Sequence, residues 1–165
     1  MARRIELRTG YRHPADRVFA ALTDQECVRE RLASIGGESS ELVSFTANGD
    51  STRIVMRQGI DAAVLPSVVR RVTPNGVTIE RTETWQAGNR GTVEASVQGF
   101  TGSLRAAAAV VADAATGSEL VLDGEVKVGI PLIGGKIEAV IAEQIGRLLS
   151  AEAKFTDRWL ESRPA

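Results

Sequence analysis

The residues best placed to do chemistry in this 165-residue chain stand on one short stretch. Over Val77–Gln86, one set of alternate positions is Val77, Ile79, Arg81, Glu83 and Trp85, and the other is Thr78, Glu80, Thr82 and Thr84. A strand carries residues i, i+2 and i+4 on one face, so Arg81 and Glu83 stand side by side between apolar neighbours. If that face points inward, the two are half-buried polar groups able to orient the head of a ligand. If it points outward, they form a solvated ion pair contributing about 0.2–1 kcal/mol. A third charge, Glu152, falls one turn after Leu148 on an apolar helical stripe. It is expected to reach solvent at the end of that stripe, because buried acids are scarce; otherwise it needs a buried partner.

The chain has one histidine and one cysteine. His13 is the only side chain that titrates near neutrality when unperturbed; directly before Pro14 at a helix entry, it is expected to cap that helix or lie on the surface. Cys27 is expected to be a buried or half-buried small residue on a short helix. One of each cannot build a Cys/His zinc site, a CxxC redox pair or an HExxH motif. Gly129-Ile130-Pro131-Leu132-Ile133-Gly134-Gly135 lacks the Lys-Ser/Thr ending of a phosphate loop and fits a strand-to-helix joint. Arg53 and Arg57 fall on the outer face of a neighbouring strand. No catalytic residue, metal or cofactor is expected.

These residues need a scaffold, and the hydrophobic pattern supplies one. Ile5, Leu7, Thr9 and Tyr11 alternate with Arg4, Glu6 and Arg8, the period of a half-buried strand. Pro14, with Asp16 close behind, opens a short helix with Val18, Phe19 and Leu22 on its apolar face. Thr23 or Asp24 caps a second, running to about Ala33 and ending at Ile35-Gly36-Gly37. From Glu38 to Val128 the chain is rich in Val, Thr, Ile and Ala, punctuated by turn signals such as Asn48-Gly49-Asp50 and Gly88-Asn89-Arg90-Gly91. This predicts an antiparallel meander with strands near 39–47, 51–59, 77–86, 91–98, 103–113 and 118–128. Ala62–Val72, with Pro66 inside it, is a short helix or an irregular connector. After Pro131, Ile133, Ile137, Ile141, Ile145, Leu148, Phe155 and Trp159 recur every three or four residues up to Leu160. The spacing predicts one amphipathic helix about 42 Å long, which must lie on the sheet.

Composition narrows the partners. Twenty basic residues against twenty-one acidic ones leave a net charge of -1, with no excess to hold a phosphate backbone or an anionic membrane. Aromatic residues make up 4%, too few for base-stacking platforms. Nucleic acid is therefore not an expected partner. No apolar run approaches the length of a membrane span, and the opening Met-Ala-Arg-Arg-Ile-Glu is not a signal peptide. A single-domain cytoplasmic protein is expected, as a monomer or a homodimer.

Strand, two short helices, six further strands and one long C-terminal helix is the order of the helix-grip fold: α+β, a seven-stranded curved antiparallel sheet wrapped on the last helix. The chain resembles the START-like, or Bet v 1-like, superfamily over essentially its whole length. The stretches that carry this are Arg12-His13-Pro14-Ala15-Asp16-Arg17-Val18-Phe19-Ala20-Ala21-Leu22-Thr23-Asp24 and Val126-Lys127-Val128-Gly129-Ile130-Pro131-Leu132-Ile133-Gly134-Gly135-Lys136-Ile137-Glu138. The second stretch, with Glu83-Thr84-Trp85 and Trp159-Leu160, is similar to an actinobacterial family of such domains, DUF2505.

The superfamily resemblance implies an apolar cavity between sheet and long helix, holding a small hydrophobic molecule such as a lipid, sterol or polyketide. Ile137, Ile141, Ile145 and Leu148 are then either the cavity roof or ordinary core, with Arg81, Glu83, Trp85 and Glu152 as the polar candidates. Small inward residues (Ala95, Gly99, Ala106, Ala108, Gly124) serve tight packing and an open pocket equally well. Binding without catalysis is the expected function, because no catalytic constellation is present. The alternatives are a cyclase-like enzyme using Arg81, Glu83 or Glu152, and a protein-interaction module with an exposed apolar patch.

Overall fold

The computed structural model of the chain describes residues 2–36, 39–98 and 101–163. Gly37 and Gly99, assigned above to a helix end and to the inner sheet face, lie outside the described residues. Seven antiparallel strands form one curved sheet in the order β1-β7-β6-β5-β4-β3-β2. They are β1 (Ala2–Tyr11), β2 (Glu41–Asn48), β3 (Ser51–Ile60), β4 (Val77–Gln86), β5 (Arg90–Gln98), β6 (Gly102–Asp113) and β7 (Gly117–Val128). Helices α1 (Ala15–Leu22) and α2 (Gln25–Ile35) connect β1 to β2. The segment over Ala62–Val72 proves to be both things expected of it, a 3-10 turn at Ala62–Val64 and a single helical turn, α3 (Ser67–Arg70), with Pro66 at its N-cap. The long helix α4 (Gly134–Glu161) follows β7. This is the expected helix-grip architecture.

The local chemistry explains the boundaries. Pro14 occupies the N-cap of α1, with Asp16 in the first turn near the positive end of the helix dipole. Asp24 caps α2, its carboxylate accepting the Cys27 N–H at 2.9 Å. Cys27 is fully buried, and burial pushes its thiol up to about 12, so the thiol stays protonated and unreactive at neutral pH. Inward-facing Ile54, Met56, Leu104, Leu120, Leu122 and Val126 form the sheet side of the core. Ala106 and Ala108 are buried in that core on β6, the strand against which α1 packs, so their small size serves close packing.

Helix α4 lies mainly over β1 and β7 and against α1 and α2. Buried carboxylates fix it near both ends. Toward the N-terminus, Glu138 is 3% exposed and accepts the Val128 N–H at 2.9 Å, fastening the helix to the end of β7. Toward the C-terminus, Asp157 Oδ1 accepts the Arg12 N–H and the His13 Nδ1–H, each at 3.0 Å, which ties the helix to the joint between β1 and α1. His13 therefore neither caps α1, which has no side-chain cap, nor lies on the surface. The last turns of α4 bring Asp157 to it across the sheet edge. Among the described residues no helix is long and apolar enough to cross a membrane.

Replacing Asp157 by Ala leaves a part-buried backbone N–H and an imidazole N–H without their acceptor. It is expected to lower unfolding free energy by about 1–3 kcal/mol in urea titrations. Arg12→Ala, which removes an exposed guanidinium 3.5 Å from the same carboxylate and 2.9 Å from the exposed Glu161, is expected to cost less than about 1 kcal/mol.

Candidate functional site

The phase of β4 settles the orientation of its charges. Arg81, Glu83 and Trp85 point inward and are 8%, 6% and 2% exposed. Arg81 and Glu83 do not form the solvated pair considered for them; a cross-strand ion pair is instead made on the outer face by Arg57 and Glu80, directly opposite each other in the β3–β4 register and 3.2 Å apart. Arg53 is exposed on that same face, as expected. Helix α4 delivers Glu152, which does not reach solvent: it is 6% exposed. Its partner is Arg81, whose Nη2 lies 2.9 Å from Glu152 Oε2 and 2.9 Å from Glu83 Oε2. One guanidinium thus joins the sheet to the helix.

Two aromatic contacts brace this arrangement. Trp85 Nε1–H donates to Glu83 Oε1 at 3.0 Å, and its ring meets Phe19 edge-on at 5.8 Å between centroids. Gly91 pairs with Trp85 across β4 and β5. A Cβ there would run into the Thr84 carbonyl oxygen and stand 2.9 Å from Trp85 Cε3, so glycine supplies the space the indole occupies.

A fourth charge was not among the sequence candidates. Arg31, on α2, is 2% exposed and lies 3.8 Å from Glu152 and 3.9 Å from Glu83. A signal for it exists in the sequence: position 31 is three residues after Val28 and one before Leu32, on the buried stripe of α2. Tyr11, 1% exposed on the apolar face of β1, completes the surroundings. Burial alone would raise the carboxyl of Glu152, but Arg81 and Arg31 outweigh it and hold it below the usual carboxylate range. Burial likewise works against the charge on Arg81, and Glu152 and Glu83 more than compensate. Burial, with Glu152 nearby, raises the Tyr11 phenol well above its ordinary value of 10.0. At neutral pH Arg81 and Glu152 are therefore ionised, and Tyr11 is a neutral donor.

These groups border a cavity of about 110 Å³ between sheet and α4. Of the sequence candidates, Arg81, Glu83, Trp85, Ile141, Ile145, Leu148 and Glu152 line it. Ile137 does not; fully buried, it packs with Val69 and Val128 at the other end of the helix. The lining grades from half-exposed Ile79, Val97, Ile141 and Ile145 to the buried charges. Ala95 faces the cavity, while Ala106 and Ala108 do not line it. Among the described residues no group of three or more His, Cys, Asp or Glu side chains is disposed to hold a metal ion.

Residues 6–160 match the family described as Protein of unknown function (DUF2505). The chain belongs to that family. The uncharacterised protein Rv0481c of Mycobacterium tuberculosis is 27% identical over 170 residues, spanning 97% of this chain and 98% of its own. Among solved structures, the Zhui aromatase/cyclase of Streptomyces sp. R1128 superposes with a TM-score of 0.64 at 15% identity, over 96% of each chain. A START superfamily protein of Mycobacterium smegmatis gives 0.57 at 12% identity, over 96% of this chain and 97% of its own. TTHA0849 of Thermus thermophilus gives 0.62 at 18% identity over the whole of both chains. At these identities the structures establish the shared fold.

Removing Arg81 strands two buried carboxylates. Arg81→Met is expected to destabilise the fold by about 3–5 kcal/mol in chemical denaturation. Glu152 has its folded-state value lowered, so its contribution is present above its ordinary value of 4.5 and is lost as pH falls toward the depressed one. Urea midpoints followed downward through pH 4.5 should therefore fall less steeply for Glu152→Gln than for the parent chain.

Proposed function

We propose that the protein binds a small hydrophobic molecule, without catalysis, in the cavity between the sheet and α4. The observation that carries this reading is an apolar cavity that ends in a buried cluster of charges instead of closing on more core. Ile141, Ile145 and Leu148 serve as its wall, and Arg81, Glu83, Trp85 and Glu152 as its polar end, the combination by which ligand sites join apolar burial to orientation. Ile137 has no part in it.

The volume bears on the guest. A cavity of about 110 Å³ is near the roughly 150 Å³ of an apolar cavity that takes up benzene and below the roughly 300–1,000 Å³ of sites for drug-sized molecules. As it stands it suits a single ring or a short branched chain. A sterol, a fatty acid or a fused-ring polyketide would enter only by parting the half-exposed side chains at its apolar end.

The cyclase-like alternative has one observation in its favour: Arg81, Glu83 and Glu152 converge inside one pocket, as proton transfer to a shared substrate would require. Against it, Arg81 and Arg31 keep Glu152 ionised, with no proton to give. Among the described residues the exposed large hydrophobics are Val43, Val111 and Leu132, which lend the interaction-module alternative no support. Val43 on β2 and Val111 on β6 are four strands apart, about 19 Å.

Native mass spectrometry and thermal-shift measurements with ethylbenzene and decanoate, as a ring and a chain, test the reading. Ethylbenzene is expected to raise Tm in a concentration-dependent way. Ile145→Trp, which fills the cavity, should remove that shift while circular dichroism stays unchanged. Failure of both compounds to bind, or unaltered binding to a folded Ile145→Trp, would sink the proposal.

A further inference from the structure

Arg31 is the least satisfied charged group of the buried cluster. Its guanidinium carries five N–H donors, yet among the described residues no oxygen accepts from any of them within hydrogen-bond distance. The nearest carboxylate oxygens are Glu152 Oε2 at 3.8 Å and Glu83 Oε2 at 3.9 Å, and its Nη2 reaches only the Met56 sulfur, at 3.8 Å. Nε–H, buried, has no acceptor. The cause is local competition, since those same two carboxylate oxygens are the ones Arg81 engages at 2.9 Å. A buried donor left in this state is costly, and Arg31 borders the cavity. Its missing acceptor can therefore come from whatever enters.

Charge decides what kind of acceptor. Arg31 and Arg81 balance Glu83 and Glu152, so the cluster is neutral as it stands. A ligand carboxylate would leave one uncompensated negative charge in a desolvated space and would face two fixed carboxylates. An uncharged oxygen imports no net charge and still satisfies the guanidinium. Tyr11, kept as the phenol and close enough to feel Glu152, Arg31 and Glu83, adds donor character at the same end.

We infer that the ligand bears an uncharged carbonyl oxygen, of a ketone or an ester, to which Arg31 donates at the buried end of the cavity. This rests on the cavity reading above and narrows the ligand class from hydrophobic molecules in general to apolar carbonyl compounds. Arg81, Glu83 and Glu152 then act as the frame that holds Arg31 in the pocket without satisfying it.

The test is a matched set of one-ring probes: acetophenone, ethylbenzene and benzoate. Calorimetric Kd values should place acetophenone about tenfold tighter than ethylbenzene, the contribution of one hydrogen bond from a charged donor, with benzoate weakest. In Arg31→Met the gap between the first two should close to about twofold while ethylbenzene still binds. The charge-balanced double variant Arg31→Met, Glu152→Gln serves if the single one does not fold. In the unsubstituted protein, the infrared C=O band of carbonyl-13C acetophenone should move to lower frequency on binding. Equal affinity for acetophenone and ethylbenzene, tightest binding of benzoate, or a preference that survives loss of Arg31 would each overturn the carbonyl assignment and leave the cavity reading standing. Failure of both neutral rings to bind would overturn this inference, and failure of decanoate as well would remove the cavity reading with it.

Discussion

One guanidinium, that of Arg81, holds two carboxylates that arrive from different layers of the structure. Glu83 is its neighbour on β4, and Glu152 comes down from α4, each 2.9 Å away. A charge so far from water persists only with paired, well-placed partners, and this requirement reaches well beyond the site. Because side chains alternate along a strand, a one-residue slip of β4 would send Arg81 and Glu83 outward together and leave the buried Glu152 with only Arg31, 3.8 Å away. The register of the central strands and the rotation of α4 about its axis are therefore fixed by the same contact. Glu138 and Asp157 extend the constraint to the ends of the helix, where each meets backbone N–H groups of a different strand end or joint.

Stability alone would not call for this design. A buried ion cluster is seldom more stable than well-packed apolar residues of the same volume. A cavity of about 110 Å³ adds a cost of about 2–3 kcal/mol on the scale of truncated cores. The core from Ile5 to Leu160 is extensive enough to carry both. That the chain places its two least favourable features side by side, the charges and the void, is the physical reason for regarding the place as a site and not as imperfect packing.

Much of this was legible in the sequence because periodicity reports faces. The alternation at Val77 to Trp85 located Arg81 and Glu83 on the same face as Trp85, and the helical stripe located Glu152 in line with Leu148. What periodicity cannot report is who lies opposite. The scarcity of buried acids argued for an exposed Glu152, and it misled because the compensating cation is 71 residues away in the chain. Arg31 escaped for the converse reason: a charge beside Val28 and Leu32 on a short helix looks like the rim of an apolar face. Only the seating of α2 against α4 turns it inward. Ile137 belongs to the same stripe as Ile141 and Ile145, but a straight helix crossing a curved sheet faces the hollow along only part of its length. Its first turns meet Val69 and Val128 instead. The volume of the cavity depends on that crossing and has no local signature.

The same crossing determines how the cavity can yield. Helix α4 is held by Glu138 near one end, by Glu152 at the cluster and by Asp157 near the other end, so lifting it means breaking buried, charge-assisted hydrogen bonds in series. The β4–β5 hairpin is held at its turn, where Asn89 donates to Asp16 of α1 at 2.7 Å. Ile79, near the start of β4, and Val97, near the end of β5, are half-exposed and line the cavity together with Ile141. Apolar contacts there separate at a cost that scales with the area exposed, which an entering apolar guest covers again. On the binding reading proposed above, a molecule longer than one ring would spread this apolar end, its polar group resting against a cluster whose geometry would not have to change.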